Sequence, residues 1–194
     1  MKPASWVLPV IDLAAVLDLV GERRLVADSR QVQKGDVFLA FQGEYADGRQ
    51  YIAAAIAAGA EAVIWEEDEF TWNPSWKVDN LAVAGLRYQV GILACALLGN
   101  DSGLMPVVGI TGTNGKTSIA NWLAQAFDRL GNKTGVLGTL GNGFLGALHD
   151  STHTTLDPLA VQNWLAKFRA EGARQVVMEV SSHGLEQARV HGVP

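Results

Sequence analysis

The sequence predicts the α/β fold class, with a small N-terminal α/β domain followed by part of a parallel-sheet domain of the P-loop type. Three observations predict it: residues 37–65 read as strand, helix and strand, residues 107–130 as a buried strand, a glycine-rich turn and a helix, and residues 133–180 again as strand, helix and strand. Strands and helices that alternate in this way form sheets covered by helices. Because residues 99–103 consist only of Gly, Asn, Asp and Ser, we predict a first domain at 1–99, a linker at 100–106 and the first part of a second domain at 107–194.

Composition limits the classes of protein to which the chain belongs. Of its 194 residues, 48% are hydrophobic and 18% charged, which supplies a core and excludes a disordered chain. The net charge of −5 provides no argument for nucleic acid or a membrane as a partner. The single cysteine, Cys95, cannot form an internal disulfide, and Pro9 and Asp12 interrupt the N-terminal apolar stretch. We therefore expect a soluble, cytoplasmic protein.

The first domain is predicted to contain, in order, helix 11–19, a short strand at 25–27, strand 37–41, helix 51–58, strand 62–65 and helix 81–98. Asp47 can cap the helix that follows it. Asp28-Ser29-Arg30, after the first strand, reads more readily as an ordinary polar turn than as a binding loop. The acidic residues 66–69 indicate a solvated surface rather than a metal site, and Trp72 and Trp76 indicate packing.

Residues 107–130 predict a nucleotide phosphate site. Gly112 and Gly115 allow a tight turn whose N–H groups approach a phosphate, and the following helix N-terminus adds free donors and a partial positive charge. Lys116 can reach the terminal phosphates, and the Thr117 hydroxyl can bind a phosphate-associated Mg²⁺. The match to the standard P-loop is imperfect, because Ile110 stands where that pattern has a glycine. The alternative is a glycine turn before an ordinary helix with a solvated lysine.

Further polar residues follow the later predicted elements, which are strand 133–140, a hairpin or loop at 141–143, helix 159–171 with its start at Asp157-Pro158, and strand 175–180. Because the carboxyl ends of parallel strands share one edge of a sheet, we expect Thr117, the Thr154-Thr155 pair and residues 179–183 to meet there. Glu179 is a candidate second Mg²⁺ anchor, with a capping or salt-bridged glutamate as the alternative. His183 is left open between a catalytic base and a structural hydrogen-bonding residue.

These motifs together resemble a known family. The run G-T-N-G-K-T-S at 112–118 resembles the ATP loop of the Mur ligases, the ATP-dependent amide-forming enzymes of peptidoglycan synthesis, and the departures from the standard P-loop follow that family's own pattern. M-E-V-S-S-H-G-L at 178–185, with Gln187 and Arg189, resembles the MurE branch. The D-S-R…K-G-D-V-F-L-A-F-Q-G run at 28–43 resembles the N-terminal domain of that branch and, more loosely, of the MurF branch.

The resemblance implies ATP and Mg²⁺ as cofactors and assigns residues to each ligand. Lys116 and Glu179 would be catalytic, and Mg²⁺ would lie on Thr117 and Glu179. The ATP phosphates would lie at Gly112, Thr113, Asn114, Gly115, Lys116, Thr117 and Ser118. The UDP end of a sugar nucleotide would lie at Ala27, Ser29, Glu44, Tyr45 and Ala46, and the muramoyl-dipeptide at His153, Thr154, Thr155, Ser181, Gln187 and Arg189. Three residues depart from the family pattern: Ser118 stands where threonine is common, His153 where asparagine is, and Leu156 where proline is.

The activity that the resemblance implies is the ATP-dependent addition of a diamino acid, meso-diaminopimelate or L-lysine, to UDP-N-acetylmuramoyl-L-alanyl-D-glutamate through an acyl phosphate. A monomer is the default expectation for the oligomeric state. Lys116, Mg²⁺ and the helix N-terminus would supply positive charge where anionic groups meet. The family has a further C-terminal domain, so we expect the 194 residues alone to lack ligase activity. One alternative is a P-loop ATPase or switch coupled to a protein partner. Another is a module that only binds a UDP-sugar.

Overall fold

The computed structural model describes residues 10–43, 46–100, 105–151 and 153–194. The chain forms two compact units, Met1–Gln89 and Val90–Pro194, which are described one at a time. Glu44 and Tyr45 lie outside the described residues, as do 101–104 of the predicted linker. Within the described ranges, no helix has the length and apolar character needed to cross a membrane.

The first unit is built on a sheet of four parallel strands in the order β1-β2-β3-β4. Its core contains Phe38, Ile52 and Trp65, and Trp72 and Trp76 pack against that core as predicted. The elements are α1 (Leu13–Val20), β1 (Leu25–Val26), a 3-10 helix (Ser29–Gln31), β2 (Val37–Ala40), a second 3-10 helix (Gly48–Tyr51), α2 (Ile52–Ala58), β3 (Ala62–Glu66) and β4 (Asp79–Val83). The next helix, α3 (Leu86–Leu97), begins in this unit.

The predicted helix 81–98 is wrong in its first part. Leu81 and Val83 belong to β4, where they lie opposite Ile64 and Glu66 of β3 in parallel register. Gly85, with a φ of 64°, then separates this strand from α3. Residues 79–83 form a strand because they pair with the edge of the sheet at β3. The spacing of apolar residues in the sequence contains no information about that edge.

The second unit contains a mixed sheet in the order β5-β9-β6-β7-β8. Strands β5, β9 and β6 are parallel, as the predicted fold class requires, and β7 and β8 add an antiparallel hairpin at one side of them. The glycine-rich residues 141–143 form part of the first strand of this hairpin. The elements are β5 (Val107–Ile110), α4 (Lys116–Arg129), β6 (Thr134–Gly138), β7 (Gly141–Phe144), β8 (Ala147–His149), α5 (Pro158–Ala170), β9 (Gln175–Glu179) and α6 (Ser182–Glu186).

Two helices bury opposite faces of this sheet. Ala120 and Ala124 of α4 pack with Val177 of β9, whereas Phe168 of α5 packs with Val176 of the same strand. Successive side chains of a strand point to opposite faces, so the unbroken apolar run in β9 is what a strand covered on both sides requires. The sheet therefore has apolar faces and presents its polar chemistry at the ends of its strands.

The residues after α3 are held closely within the second unit. Asn100, in the predicted linker, is buried, and its Nδ2 donates to Gln162 at the backbone O (2.9 Å) and at Oε1 (2.8 Å). Arg169 donates to the backbone carbonyls of Leu98 and Gly99. A polar composition predicted a linker here, but these polar groups serve as hydrogen-bond partners. The domain limits 1–99 and 107–194 stay a prediction.

Candidate functional site

The glycine-rich loop joins the carboxyl end of β5 to the N-terminus of α4. Gly112 and Gly115 have φ angles of 143° and 81°, which side-chain-bearing residues rarely adopt. Gly115 is the N-cap of α4, and no side chain in the described residues caps that helix. The first-turn N–H groups are therefore available to an anion. Residues 111–115 are exposed, so a phosphate has access to them.

Lys116 lies against this loop. Its Nζ donates to the Gly112 backbone O at 2.7 Å. The ammonium group is thus held against the turn, so the lysine charge and the uncapped N-terminus of α4 lie at one place. This arrangement suits an anion, and the assignment to ATP phosphates stays a prediction.

Glu179, the last residue of β9, is almost fully buried, with 2% of its surface exposed. Thr117 Oγ1 donates to its Oε2 at 2.8 Å. Thr139, just after β6, donates from its backbone N to Oε1 at 2.8 Å and from its Oγ1 to Oε2 at 3.3 Å. The carboxylate therefore lies where the ends of β5, β9 and β6 meet. Its hydrogen-bond donors come from the residues that follow β5 and from those that follow β6.

A second group of predicted residues adjoins Glu179. Thr155 Oγ1 donates to the Glu179 backbone O at 3.1 Å and accepts from the Ser181 backbone N at 2.9 Å. Ser181 Oγ in turn accepts from the Gly184 N at 3.0 Å and caps α6. Arg189 Nη1 donates to the Thr155 backbone O at 2.7 Å, and its Nε to Gln187 Oε1 at 2.9 Å. Thr155, Ser181, Gln187 and Arg189 thus form one hydrogen-bonded group at this edge.

Thr139 was missed by the sequence reasoning. It stands at the end of a parallel strand next to β9, which is the position where polar side chains were expected to meet. The predicted strand 133–140 placed Thr139 inside the strand, whereas β6 ends at Gly138. Gly138 also has a local role, because a Cβ there would overlap Glu179 Oε1. His153 and His183 are exposed at the surface, and the geometry assigns neither a role.

In the first unit, the predicted sugar-nucleotide residues follow β1 and β2, which are adjacent and parallel. Ala27 and Ala46 are exposed, and Ser29 is the first residue of the 3-10 helix after β1. The Asp-x-Arg run occurs after both strands, as Asp28–Arg30 and Asp47–Arg49. The parallel arrangement brings the two loops to one edge of this sheet.

The two Asp-x-Arg runs have the same geometry. In each, the aspartate Oδ1 accepts from the backbone N two residues later at 3.0 Å and from the arginine Nε at 2.9 Å, while Oδ2 accepts from Nη2 at 2.8 Å. These donors from Arg30 lower the pKa of Asp28, and those from Arg49 lower the pKa of Asp47. The side chains differ in exposure: Arg30 is 87% exposed and Arg49 only 10%. Arg49 also donates to the backbone carbonyls of Glu66 and Asp68 and lies over the Phe70 ring.

The donor set around Glu179 fits Mg²⁺ bound together with a nucleotide. Among the described residues no cluster of three or more His, Cys, Asp or Glu side chains could hold a metal by itself. Mg²⁺ typically takes one or two protein oxygens, with the remaining positions filled by phosphate and water. A carboxylate has about four lone-pair sites, and the hydrogen bonds described above occupy three of those of Glu179. One lone pair of Oε1 and the oxygen of Thr117 remain for a cation.

A strand, a glycine loop and a helix, beside a carboxylate at the next strand end, define the class of P-loop-type α/β proteins. Comparison with known families is consistent with this class: the family model described as Mur ligase middle domain matches residues 110–194, and that described as Mur ligase family, catalytic domain, matches residues 23–96. The chain belongs to the Mur ligase family. The predicted resemblance and the α/β fold class are therefore confirmed.

Individual relatives agree with this assignment. The chain is 55% identical over 195 residues to the UDP-N-acetylmuramoyl-L-alanyl-D-glutamate–2,6-diaminopimelate ligase of Chromobacterium violaceum, covering 100% of this chain and 40% of that protein. The ligase of the same name from Neisseria meningitidis serogroup A is 56% identical over 172 residues, with coverages of 88% and 35%. The chain therefore spans 40% or less of the length of these relatives.

Solved structures give the same result. A structure of a UDP-N-acetylmuramoyl-L-alanyl-D-glutamate–2,6-diaminopimelate ligase aligns with a TM-score of 0.73 at 35% identity and covers 87% of this chain and 34% of that one. A MurF ligase from Thermotoga maritima, in complex with ADP, aligns with a TM-score of 0.59 at 24% identity, over 95% of this chain and 37% of that one, and supports the fold alone.

Proposed function

We propose that this chain forms the sugar-nucleotide-binding and ATP-binding parts of a ligase of peptidoglycan precursor synthesis. The ligase adds a diamino acid to UDP-N-acetylmuramoyl-L-alanyl-D-glutamate at the expense of ATP. The names of the relatives favour 2,6-diaminopimelate over L-lysine as that diamino acid. The observation that carries the proposal is the junction of the phosphate loop with Thr117 and the buried Glu179, because it supplies what phosphoryl transfer requires at one strand edge.

Each group at this edge has a defined task in the proposed reaction. The loop at 112–118 and the N-terminus of α4 hold the ATP phosphates, and Lys116 stabilises negative charge as the γ-phosphoryl passes to the substrate carboxylate. Thr117 and Glu179 would hold Mg²⁺, which would neutralise phosphate charge. The acyl phosphate so formed is attacked by the amine of the diamino acid, and phosphate leaves. Positioning the anionic reactants is the main contribution of the protein.

The muramoyl-dipeptide is assigned to the hydrogen-bonded group beside Glu179. Thr154, Thr155 and Ser181 line the same edge, and Arg189 offers a guanidinium suited to a carboxylate. His153 and Gln187 complete the proposed set. Because Thr155 is buried, its hydroxyl acts by ordering Ser181 and the end of β9.

The UDP end is assigned to the carboxyl edge of the first unit. Ala27 and Ser29 follow β1, and residues 44–46 come after β2 in the sequence. Ligands of open parallel sheets bind beyond the carboxyl ends of adjacent strands, and this edge has the two loops that such a ligand needs. The repeated Asp-x-Arg pairs hold the flanking backbone in place.

Calorimetry tests the proposal directly. The chain would be titrated with UDP-N-acetylmuramoyl-L-alanyl-D-glutamate, with UDP and with Mg·ATP, and the Ser29→Ala variant with the same ligands. We expect the wild type to bind the sugar nucleotide and Mg·ATP, and Ser29→Ala to weaken only the sugar nucleotide and UDP. Binding of Mg·ATP with no response to either uridine ligand would contradict the proposal and favour an ATPase or switch.

A further inference from the structure

We propose that Thr139 is a positioning residue for Glu179, holding the carboxylate in the orientation that receives nucleotide-bound Mg²⁺. The inference rests on the proposed function, because it concerns the same metal and the same nucleotide. It concerns a residue that lies outside the phosphate loop and outside the M-E-V-S-S-H-G-L run.

The contacts of Thr139 reach both oxygens of one carboxylate. Its backbone N holds Oε1 at 2.8 Å and its hydroxyl holds Oε2 at 3.3 Å. A carboxylate that is gripped at both oxygens cannot turn about its terminal bond without losing a hydrogen bond. Thr117, the other side-chain donor, binds only Oε2. Thr139 therefore bonds both oxygens, and its hydroxyl adds a second hydrogen bond to the Oε2 that Thr117 also holds.

The hydroxyl of Thr139 also connects to the proposed substrate residues. Its Oγ1 lies 3.1 Å from Thr154 Oγ1. A hydroxyl has one proton, and an ionised carboxylate only accepts, so the Thr139 proton goes to Glu179 and its oxygen is left to accept from Thr154. A chain of hydrogen bonds therefore links Thr154, Thr139, Glu179 and Thr117. It runs from the proposed dipeptide site to the phosphate loop.

The end of β6 is shaped around this interaction. A Cβ at Gly138 would overlap Glu179 Oε1, so the absence of a side chain lets the Thr139 backbone N approach that oxygen. Thr139 itself is exposed on its other side, so replacing its hydroxyl by a methyl group leaves no buried gap. A substitution of Thr139 can therefore test how the Glu179 carboxylate is positioned without destabilising the fold.

The test compares Thr139→Val, Thr139→Ser and wild type in the complete protein that carries this chain. Valine keeps the shape and the backbone N–H but lacks the hydroxyl, whereas serine retains it. The measured quantity is the affinity for ADP with and without Mg²⁺, together with the thermal unfolding midpoint. Loss of an outer-shell partner of a metal ligand typically costs 10–100-fold in metal affinity or activity.

We expect Thr139→Val to reduce the Mg²⁺-dependent gain in ADP affinity by about tenfold, with metal-free ADP binding and the unfolding midpoint unchanged. Thr139→Ser restores most of the gain. Thr134→Val is the matched control, since it removes another threonine hydroxyl of β6 that bonds Asn132 and Gln175 at the opposite end of the strand. It is expected to lower the unfolding midpoint and leave the Mg²⁺ gain intact.

Two results would overturn the inference alone: a normal Mg²⁺ gain in Thr139→Val, or a loss of ADP affinity in that variant that is equal with and without the metal. A wild-type protein whose ADP affinity is indifferent to Mg²⁺ would overturn the metal assignment of the proposed function as well. The wild-type titration therefore distinguishes the two failures.

Discussion

In the second unit, the hydrogen bonds that hold Glu179 beside the phosphate loop join residues far apart in the sequence, whereas in the first unit an ion pair between near neighbours lies in each polar loop. Thr117 and Thr139 reach Glu179 across 62 and 40 residues. Asp28–Arg30 and Asp47–Arg49 each span two residues. Both arrangements lie at the carboxyl edge of parallel strands, so the difference is in how the edge is held together.

The difference indicates which kind of substitution would disable each site. A site assembled over long range depends on the order and spacing of its strands, so a small change at a strand end can disable it without touching the ligand. A loop held by a local ion pair forms as soon as its own residues fold, and its contribution depends mainly on how far the pair is buried. The predictions below test this contrast, from the largest expected effect to the smallest.

The largest effect is expected at the phosphate loop. In the complete protein, Lys116→Ala should lower turnover by about a hundredfold or more, the range found when a preorganised charge-stabilising group is removed. Steady-state rates at saturating ATP and sugar nucleotide measure this. Near-normal turnover would remove Lys116 from the mechanism and leave the loop as a binding element only.

The buried ion pair of the first unit should matter more to stability than its exposed counterpart. Asp28→Ala and Asp47→Ala both remove a cap and an arginine partner, so the cap contribution cancels between them. We expect Asp47→Ala to lower the free energy of unfolding by about 2 kcal/mol more than Asp28→Ala, because Arg49 is left buried without its carboxylate. Urea unfolding followed by hydrogen exchange in β1–β4 measures the difference. Equal losses would show that burial of the pair is irrelevant.

A single methyl group at the end of β6 should damage the long-range site. Gly138→Ala places a Cβ against Glu179 Oε1, so we expect the Mg²⁺-dependent gain in ADP affinity to fall about tenfold. Gly109→Ala on β5 is the matched control, because its Cβ would meet Val180 at 3.4 Å, an ordinary contact. The same ADP titrations measure both variants. If Gly138→Ala binds Mg·ADP as the wild type does, the strand end is more adaptable than the contacts indicate.

The smallest effect is a pH dependence of the first unit. Hydrogen bonds from Arg24 lower the pKa of Asp36, which is buried beside the start of β2. The unfolded chain then binds a proton more readily, so the stabilisation is present above the unfolded pKa of about 3.9 and is lost as pH falls through the lower folded pKa. Hydrogen exchange of the β1 and β2 amides is measured at about pH 5 and about pH 3, on either side of the unfolded pKa of about 3.9. These strands should open faster at the lower pH. Asp36→Asn should flatten this dependence.

The parts of the fold and of the candidate site that could be predicted from the sequence are those indicated by a pattern of neighbouring residues. The glycine loop, Lys116 and Thr117 form one contiguous motif, and Glu179 ends a clear apolar run. The strand β4 could not be found, because its apolar residues continue into the helical spacing of α3 and only pairing with β3 separates them. The glycine-rich residues 141–143 are compatible with either a hairpin or a loop, and only their pairing with β6 shows that they belong to a hairpin strand.

Thr139 shows the limit of a site prediction. Its own neighbourhood, Gly138-Thr139-Leu140-Gly141, resembles any polar turn after a strand. Its importance follows from the sheet order, which brings the end of β6 beside the end of β9. Spatial neighbours of this kind become visible only when the order of strands is known.

That strand order also affects how the site arises during synthesis. β9 lies between β5 and β6, although both precede it in the chain. A growing polypeptide therefore exposes the phosphate loop and Thr139 well before Glu179 leaves the ribosome, and the sheet must open a place for its central strand. Non-local pairing of this type is slow to form. Nascent chains and partly folded forms consequently hold a loop without its carboxylate, and tight Mg·nucleotide binding becomes a marker of chains whose central sheet is complete.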